Sequence, residues 1–430
     1  MGLHEKIADR SAKVGIIGLG YVGLPLAVEF AKAGYASVGI DIDRIRVDSI
    51  RRGHSYILDV PEDDLRGIVS GGKLIATSDF TLLRDVDSVS VCVPTPLRKT
   101  KDPDIQYVVD ATARIKEHLH PGMLIVLEST TYPGTTDEIL LSEFSSTGLA
   151  VGRDFFLAFS PERVDPGNPR YGTHNTPKII GGVTPECTRL AKELYERVVE
   201  RVIPVSSTKS AEMVKLLENT FRMVNIGLVN EIAIMCDKLD LDVWEIIEAA
   251  ATKPFGFMPF FPGPGLGGHC IPIDPLYLSW KLKGLNYNAR FIELASEINT
   301  NMPEYVTTKV ARALNRRKLA VNGSRILVLG VSYKKDISDT RESPALDIIR
   351  LLQQEGAEVS YSDPYNPEIR LDNGSLRSIA PNPENLRACD CVIIVANHSS
   401  FDYDVIARES ALVVDCRNAL PKGIGNVVKL

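Results

Sequence analysis

Gly18, Gly20 and Gly23 restrict the possible folds of this chain more than any other residues. They directly follow Lys13-Val14-Gly15-Ile16-Ile17, a short apolar run of the kind that forms a buried parallel strand. They lead into Leu24 to Ala33, a helical pattern that stops at Gly34 and has Pro25 in its first turn, where a missing N–H costs nothing. Glycines at this spacing allow a tight turn, close approach of a pyrophosphate and close packing of helix on strand, with the helix N-terminus facing the negative charge. A second strand, Ser37-Val38-Gly39-Ile40, ends in Asp41, placed to accept a hydrogen bond from a ribose 2′-OH. That carboxylate would repel a 2′-phosphate, so NAD is expected over NADP. Arg44 and Arg46 are the counter-indication, since either could pair with a phosphate.

Further strand-then-loop units follow. Asp87 to Val93 ends in Pro94-Thr95-Pro96. Met123 to Leu127 ends in Glu128-Ser129-Thr130-Thr131-Tyr132-Pro133-Gly134. Phe155 to Phe159 ends in Ser160-Pro161-Glu162-Arg163. Strands alternating with helices, such as Ile105 to His118, give a parallel sheet. Ligands of such sheets bind beyond the carboxyl ends of the strands, so three polar strand ends are expected to face one crevice. Ile179 to Gly182 and Val202 to Val205 read as closing strands, with Asn175 and Lys178 given no role.

Composition narrows the function classes. The net charge of −6 over 430 residues gives no basic footprint for nucleic acid. The first residues lack a signal peptide's apolar core, and no apolar run approaches a membrane span, so a cytoplasmic chain is expected. The seven cysteines are scattered and mostly lie in apolar runs, which fits reduced core thiols and no metal site.

One cysteine differs. Cys270 ends the run Pro262-Gly263-Pro264-Gly265-Leu266-Gly267-Gly268-His269-Cys270-Ile271-Pro272-Ile273-Asp274, with a carboxylate four residues later. Such a run can wrap a ligand and present a thiol, or it can be a plain surface loop. Thr208 to Asp237 reads as one long helix with Lys215 and Asn219 on one face, able to hold a hydroxyl, an oxyanion or a water. Its second half, Gly227 to Leu239, is almost uninterruptedly apolar and is expected to be buried on nearly all sides, gripped by two domains and a second subunit. Trp244 to Ala251 is another helix. A later helix, carrying Arg290, Glu293, Glu297, Asn299 and Asn301, leads into Pro303. The aromatic run Phe255 to Phe261 fits a hydrophobic plug, a base-stacking wall or a subunit contact.

From Ser324 a second strand–turn–helix pattern begins, without the three glycines. Its first loop holds Tyr333, Lys334, Lys335 and Arg341, and Arg417 follows a later strand end. Cations of that kind suit a phosphorylated ligand. The fold class is therefore α/β, with two Rossmann-like doubly wound parallel-sheet domains joined by a long central helix. The expected segments are 1–206, 207–318 and 319–430.

As a set these residues resemble the nucleotide-sugar 6-dehydrogenases, the family that includes UDP-glucose dehydrogenase. The resemblance rests on Gly18 to Pro25, Val93-Pro94-Thr95-Pro96, Ser129 to Gly134 and Ser160-Pro161-Glu162-Arg163. It continues in Glu212-Met213-Val214-Lys215 with Asn219, Gly267 to Asp274, and Lys334-Lys335-Asp336 with Asp339 to Ser343. The wording from Phe261 to Pro275 is most similar to the branch that acts on UDP-N-acetylhexosamines, UDP-N-acetylglucosamine in particular.

The resemblance implies oxidation of a primary alcohol at C6 to a carboxylate with two NAD+ in succession, for surface polysaccharide biosynthesis. It implies Cys270 as nucleophile toward the C6 aldehyde, Lys215 and Asn219 as oxyanion stabilisers, and Asp274 and Thr131 as holders of a water. Glu162 would be the base for thioester hydrolysis. Gly18, Gly20, Tyr21, Val22, Gly23, Asp41, Arg46, Pro94, Thr95, Thr130 and Arg341 would hold NAD. Glu162, Arg163, Val164, Lys215, Asn219, Gly265, Gly267, Arg290, Tyr333, Lys334 and Arg417 would hold the UDP-sugar. A homodimer or dimer of dimers is implied.

The chain departs from UDP-glucose dehydrogenases at Ile273, where they carry lysine, and at Val164-Asp165-Pro166-Gly167, where they carry an acid shortly after the Pro-Glu pair. The arginine that a neighbouring subunit donates has no clear match, with Lys253 or Arg290 as replacements. UDP-glucose, UDP-N-acetylmannosamine and UDP-N-acetylgalactosamine stay open as substrates. A single-step hydroxyacid dehydrogenase and a non-catalytic NAD-binding protein are the remaining readings.

Overall fold

Neighbouring residues of the first strand point to opposite faces, and each face is covered: Ile16 joins one core cluster with Phe30 and Tyr195, and Ile17 joins another with Val89, Val91 and Phe144. A sheet apolar on both faces needs helices on both, which is the doubly wound arrangement. The fold is taken from a computed structural model that describes residues 2–430 apart from 58, 99–101, 166, 167, 169 and 373. Pro166 and Gly167 of the departure noted above lie outside the described residues.

The first sheet has eight strands: β1 (Lys13–Ile17), β2 (Ala36–Ile40), β3 (Leu74–Thr77), β4 (Ser88–Val91), β5 (Leu124–Leu127), β6 (Phe156–Phe159), β7 (Lys178–Gly182) and β8 (Val202–Pro204). Their order is β3-β2-β1-β4-β5-β6-β7-β8. All neighbours run parallel except β6 and β7, which pair antiparallel through Ala158↔Gly182 and Phe159↔Gly181. The order reverses between β1 and β4, which pair from Val14↔Ser88 to Ile17↔Val91. That reversal opens a crevice beyond their carboxyl ends, where Gly18 and Val93 begin their loops.

The chain divides into two units, Met1–Glu218 with Leu276–Tyr287, and Asn219–Pro275 with Asn288–Leu430. The second holds a parallel sheet of β9 (Arg325–Leu329), β10 (Glu358–Ser362), β13 (Cys391–Ile394), β14 (Val413–Asp415) and β15 (Val427–Lys429), in the order β10-β9-β13-β14-β15. A small antiparallel hairpin, β11 (Glu368–Leu371) with β12 (Gly374–Arg377), is hydrogen-bonded separately and packs beside β10, where Ser378 pairs with Tyr361. The fold class expected from sequence is the one observed. Among the described residues no helix is long and apolar enough to cross a membrane.

The long helix spans Thr208–Lys238, and in the single chain Leu228, Met235 and nearby Leu239 are 55%, 45% and 67% exposed. The expected cover by a second subunit would fall on such positions. The helix Arg290–Arg316 contains Pro303 in its interior. Pro303 is buried and gives up the N–H that would reach the Asn299 carbonyl one turn back. That carbonyl lies against Gly265, where a Cβ would stand 3.2 Å from Asn299 O and 3.1 Å from Pro344 Cβ. With φ +136° as well, Gly265 is a position only glycine fills without strain.

Candidate active site

The glycine turn after β1 passes a geometric test for a dinucleotide. Gly18 has φ +90°, and a Cβ there would lie 2.6 Å from the Cys92 carbonyl. A Cβ on Gly23 would lie 1.8 Å from Gly18 O, so this residue sets the packing of the helix Gly23–Lys32 on the turn. At Gly20 a Cβ meets only Arg46 Nη1 at 3.9 Å, so its backbone faces open space that a phosphate can approach. Asp41 is buried at the end of β2. It accepts the Leu19 N–H at 2.7 Å and the Asp43 N–H at 2.8 Å. Arg46 leans 3.5 Å from both Asp41 and Asp43, so it is paired with acids and does not stand as an isolated phosphate ligand. Tyr21 is half-exposed and Val22 partly buried at the head of the helix.

The polar ends of β4, β5 and β6 share one edge of the sheet. Pro94 is exposed and Thr95 partly buried, and Tyr277 anchors this loop by donating to the Thr95 and Pro96 carbonyls at 2.9 and 3.1 Å. After β5, Thr130 is partly buried and Thr131 buried. Thr131 Oγ1, like Ser160 Oγ after β6, is buried with no hydrogen-bond partner among the described residues. Buried hydroxyls are normally paired, so these two are disposed to serve a water or ligand. The Glu212 carboxylate holds the loop in place, accepting from Gly134 N at 2.5 Å, Thr136 N at 2.9 Å and Thr136 Oγ1 at 2.7 Å.

Glu162 sits in a buried charge cluster. Its Oε1 accepts the N–H groups of Arg163 and Val164, each at 2.7 Å, and its Oε2 is 3.4 Å from Lys178 Nζ. Lys178 in turn donates to Glu128 Oε2 at 2.6 Å, and Tyr195 donates to the other Glu128 oxygen. Burial pushes the Glu162 pKa up, but Lys178, the two backbone N–H groups and Lys215 outweigh it and hold it below the ordinary glutamate value. Glu128 goes the other way. It is fully buried and lacks the backbone donors, so desolvation raises its pKa despite the shorter contact with Lys178. Arg163 is turned to Glu218 at 2.6 Å. Tyr21, Glu162 and Val164 line one cavity of about 240 Å³ in this unit. A larger cavity of about 390 Å³ in the second unit, walled by Asp237, Arg312 and Arg316, touches none of the residues picked from sequence.

In the second unit the glycine-rich segment is fixed from both sides. Asn230, fully buried, accepts the Gly263 N–H at 2.9 Å and donates to Asn299 Oδ1 at 2.9 Å. Gly267 packs where a Cβ would stand 2.4 Å from Tyr333 Cβ and 2.7 Å from Glu342 O, and Gly268 donates to the Arg341 carbonyl at 2.9 Å. A Cβ on Gly263 would meet Arg417 Nη1 at 2.6 Å. The loop of Tyr333, Arg341 and Arg417 and the segment ending in Cys270 are thus one packed body. Lys334 is partly buried in the same loop. Arg341 is bound to Asp339, with Nε at 2.9 and 3.1 Å from its oxygens, and reaches His269 Nδ1 at 3.1 Å.

Six of the seven cysteines are buried, and Cys270 alone is partly exposed. Reactive thiols sit in partly exposed settings, and buried ones are inert. Four residues on, buried Asp274 begins the helix Asp274–Lys283 and accepts from Asn219 Nδ2 at 2.5 Å. Lys215, buried, lies one turn before Asn219 on the long helix. Arg290 and Lys253 are both exposed, and Lys253 lies over the Phe255 ring at 5.0 Å. Among the described residues no cluster could hold a metal ion.

Sequence reasoning left out Lys178, Glu128 and Asn230. Lys178 did carry a signal: it heads an otherwise apolar strand, Lys178-Ile179-Ile180-Gly181-Gly182, and a charge there must be paired.

Family models of the UDP-glucose/GDP-mannose dehydrogenase family match in three consecutive parts: the NAD binding domain over residues 12–199, the central domain over 209–301 and the UDP binding domain over 327–422. The chain is similar to UDP-N-acetyl-D-mannosamine dehydrogenase of Methanococcus maripaludis, 36% identical over 95% of this chain and 93% of the relative. It is similar to UDP-N-acetyl-D-glucosamine 6-dehydrogenase of Pseudomonas aeruginosa to nearly the same degree, 35% over 91% and 92%. In structure it resembles the UDP-D-ManNAc dehydrogenase of Pyrococcus horikoshii, with a TM-score of 0.88 at 34% identity over 97% and 98% of the two chains. The relatives therefore differ in their sugar: besides the mannosamine and glucosamine enzymes, the NDP-N-acetyl-D-galactosaminuronic acid dehydrogenase of Methanosarcina mazei is similar, with a TM-score of 0.83 at 30% identity over 100% and 97% of the two chains, and similarity does not single out the glucosamine branch.

Proposed function

The chain belongs to the UDP-glucose/GDP-mannose dehydrogenase family and carries its NAD binding and UDP binding domains, and on that premise we propose that it oxidises C6 of a UDP-N-acetylhexosamine to the uronic acid. The gluco and manno configurations are favoured, because the curated relatives most similar to the chain are named for them. The observation that carries the reading is the thiol: the one partly exposed cysteine stands on a segment packed against the Tyr333–Pro344 loop, four residues before an Asp274 held by Asn219. Residues 1–206 serve the cofactor, 207–318 the nucleophile and subunit contact, and 319–430 the UDP group.

Bound NAD+ supplies a hydride acceptor for each of the two oxidations. The turn Gly18 to Gly23 would hold its pyrophosphate and Asp41 its ribose, with Tyr21, Val22, Arg46, Pro94, Thr95, Thr130 and Arg341 as the further cofactor residues that the resemblance implies. Tyr333, Lys334, Arg417, Gly265 and Gly267 hold the nucleotide, while Glu162, Arg163, Val164, Lys215, Asn219 and Arg290 hold the sugar end. In the first oxidation C6–OH gives up its proton to a water held by Asp274 and Thr131, and the alcohol becomes an aldehyde. Cys270 Sγ then adds to that carbonyl, giving a thiohemiacetal whose oxyanion is stabilised by Lys215 and Asn219. The second oxidation leaves a thioester on Cys270. Glu162 takes a proton from water as its oxygen attacks the thioester carbon; the C–S bond breaks, the thiolate leaves and the carboxylate forms. Overall, alcohol, one water and two NAD+ give carboxylate, two NADH and three protons.

The exposed apolar positions Leu217, Phe221 and Leu228 of the long helix support self-association as a homodimer or dimer of dimers. The test is NADH release over a panel of UDP-hexoses. Two NADH per sugar are expected with UDP-N-acetylglucosamine or UDP-N-acetylmannosamine, and none of the uronic acid from Cys270→Ser. One NADH per turnover, or uronate from the serine variant at the normal rate, refutes the thioester route.

A further inference from the structure

Three ionisable side chains meet at one edge of the first sheet, two buried and Glu162 partly buried, and the proposed reaction uses only one of them. Lys178 heads β7, Glu128 follows β5 and Glu162 follows β6. Lys178 and Glu128 are 5% and 1% exposed. Enclosing a lysine with two carboxylates is a poor way to gain stability, because desolvation offsets most of the Coulomb attraction and an apolar residue would serve as well. The geometry is also lopsided. Lys178 Nζ is 2.6 Å from Glu128 and 3.4 Å from Glu162. Glu128 is held in turn by Tyr195, whose hydroxyl is also 2.9 Å from Ser90 Oγ, so the lysine is anchored on the side away from Glu162.

On Glu162 the two oxygens differ. Oε1 is tied to the backbone N–H groups of Arg163 and Val164, while Oε2 faces Lys178 beyond ordinary hydrogen-bond length. An oxygen close to a cation yet not tightly bonded to it can stay ionised and still accept a proton from water. The groups around the cluster are few. Cys92 after β4 and Tyr195 on the helix Pro185–Tyr195 are pushed by burial well above their ordinary values and remain neutral. Lys215 on the long helix adds a second positive charge on the Glu162 side. Arg163 is neutralised by Glu218.

We propose that Lys178 is a positioning residue for the hydrolytic step: gripped by Glu128, it holds Glu162 charged and oriented for deprotonating the water that cleaves the thioester. The inference rests on the reading of Glu162 as that base.

Lys178→Met, Lys178→Arg, Glu128→Gln and Glu162→Gln variants of the full chain test it. Each is mixed with NAD+ and UDP-N-acetylglucosamine or UDP-N-acetylmannosamine, quenched in acid, and weighed intact to count acyl-enzyme as a function of pH. Loss of a close opposite charge raises a carboxyl pKa by roughly 1–3 units. Lys178→Met should therefore move the acid limb of deacylation up by about that much, with thioester accumulating in mildly acidic solution where the wild type still deacylates, and Lys178→Arg should restore the limb. Glu128→Gln should move the limb the other way, because the lysine's charge then falls on Glu162 alone. Opposite shifts are not expected of a merely structural cluster. An unmoved limb in Lys178→Met, or an upward or absent shift in Glu128→Gln, overturns the proposal, and the second result stands even where Lys178→Met does not fold. Glu162→Gln separates the two levels. If it deacylates normally, the reading of Glu162 fails; if it traps thioester while the Lys178 and Glu128 variants keep the ordinary limb, only the role of Lys178 fails.

Discussion

Replacing Gly268 with alanine is the sharpest test of how the thiol segment is held. Gly268 stands at φ +87°, and a methyl group there would lie 2.9, 3.0 and 3.2 Å from Cε2, Cζ and Cδ2 of Tyr333. Two costs follow. Placing an alanine in the left-handed region costs roughly 1–2 kcal/mol. Forcing the tyrosine ring aside in a packed contact adds about 1–3 kcal/mol. Cys270 is two residues further on, and Gly268 N–H donates to Arg341 O at 2.9 Å, so the disturbance falls on the segment that presents the thiol. If it fell wholly on the reacting geometry, kcat/KM would drop by roughly 30- to 5,000-fold, at 1.4 kcal/mol per decade. Tyr333→Ala removes the ring and leaves the backbone strain. A cycle of wild type, Gly268→Ala, Tyr333→Ala and the double variant, with kcat/KM for the UDP-sugar converted to free energy, should give a coupling of about 1–3 kcal/mol, the double variant losing less than the sum. Additivity within about 0.5 kcal/mol would refute the argument, because the ring and the methyl would then not meet.

Iodoacetamide on the native chain should modify Cys270 first, since the other six cysteines are buried; peptide mapping that finds Cys92 or Cys416 alkylated earlier contradicts this. Asp41→Ala strips the acceptor from the Leu19 and Asp43 N–H groups and leaves Arg46 with Asp43 alone, so KM for NAD+ should rise roughly 10- to 100-fold while discrimination against NADP+ narrows. An unchanged NAD+/NADP+ ratio in steady-state titrations tells against that role. Asp363 has a pKa pulled down to about 2: burial pushes it up, but the bond from His398 and the N–H groups of Val331 and Tyr365 prevail. A depressed carboxyl stabilises the fold above its unfolded value near pH 4, and the contribution of about 2 kcal/mol is lost as pH falls toward 2. Urea midpoints of wild type should fall more steeply than those of Asp363→Asn between pH 4 and pH 2, and parallel curves would exclude the effect.

Much of this was legible in the sequence where the signal is local. The fingerprint from Gly18 to Asp41, the polar ends of β4, β5 and β6, and the long helix from Thr208 each follow from spacing and periodicity within a few dozen residues. What escaped was non-local. Lys178 and Glu128 are 50 positions apart and meet only because β5, β6 and β7 are neighbours in the sheet. Pro303 reads as a stop in any one-dimensional account. The helix continues because the carbonyl it frees is packed against Gly265, 38 positions earlier by numbering, and no periodicity encodes that meeting. For the apolar half of the long helix, the pattern reports how much surface seeks cover but not what covers it.

Because Asn230, Asn299, Tyr333, Pro344 and Arg417 all clasp the segment ending in Cys270, this thiol is inherited together with the loops of the UDP binding domain. A recombinant gene that takes residues 12–199 from a relative and keeps the remainder would transplant the dinucleotide pocket while leaving this clasp untouched. Coenzyme preference should then follow the donor, and the thiol's environment should follow the recipient.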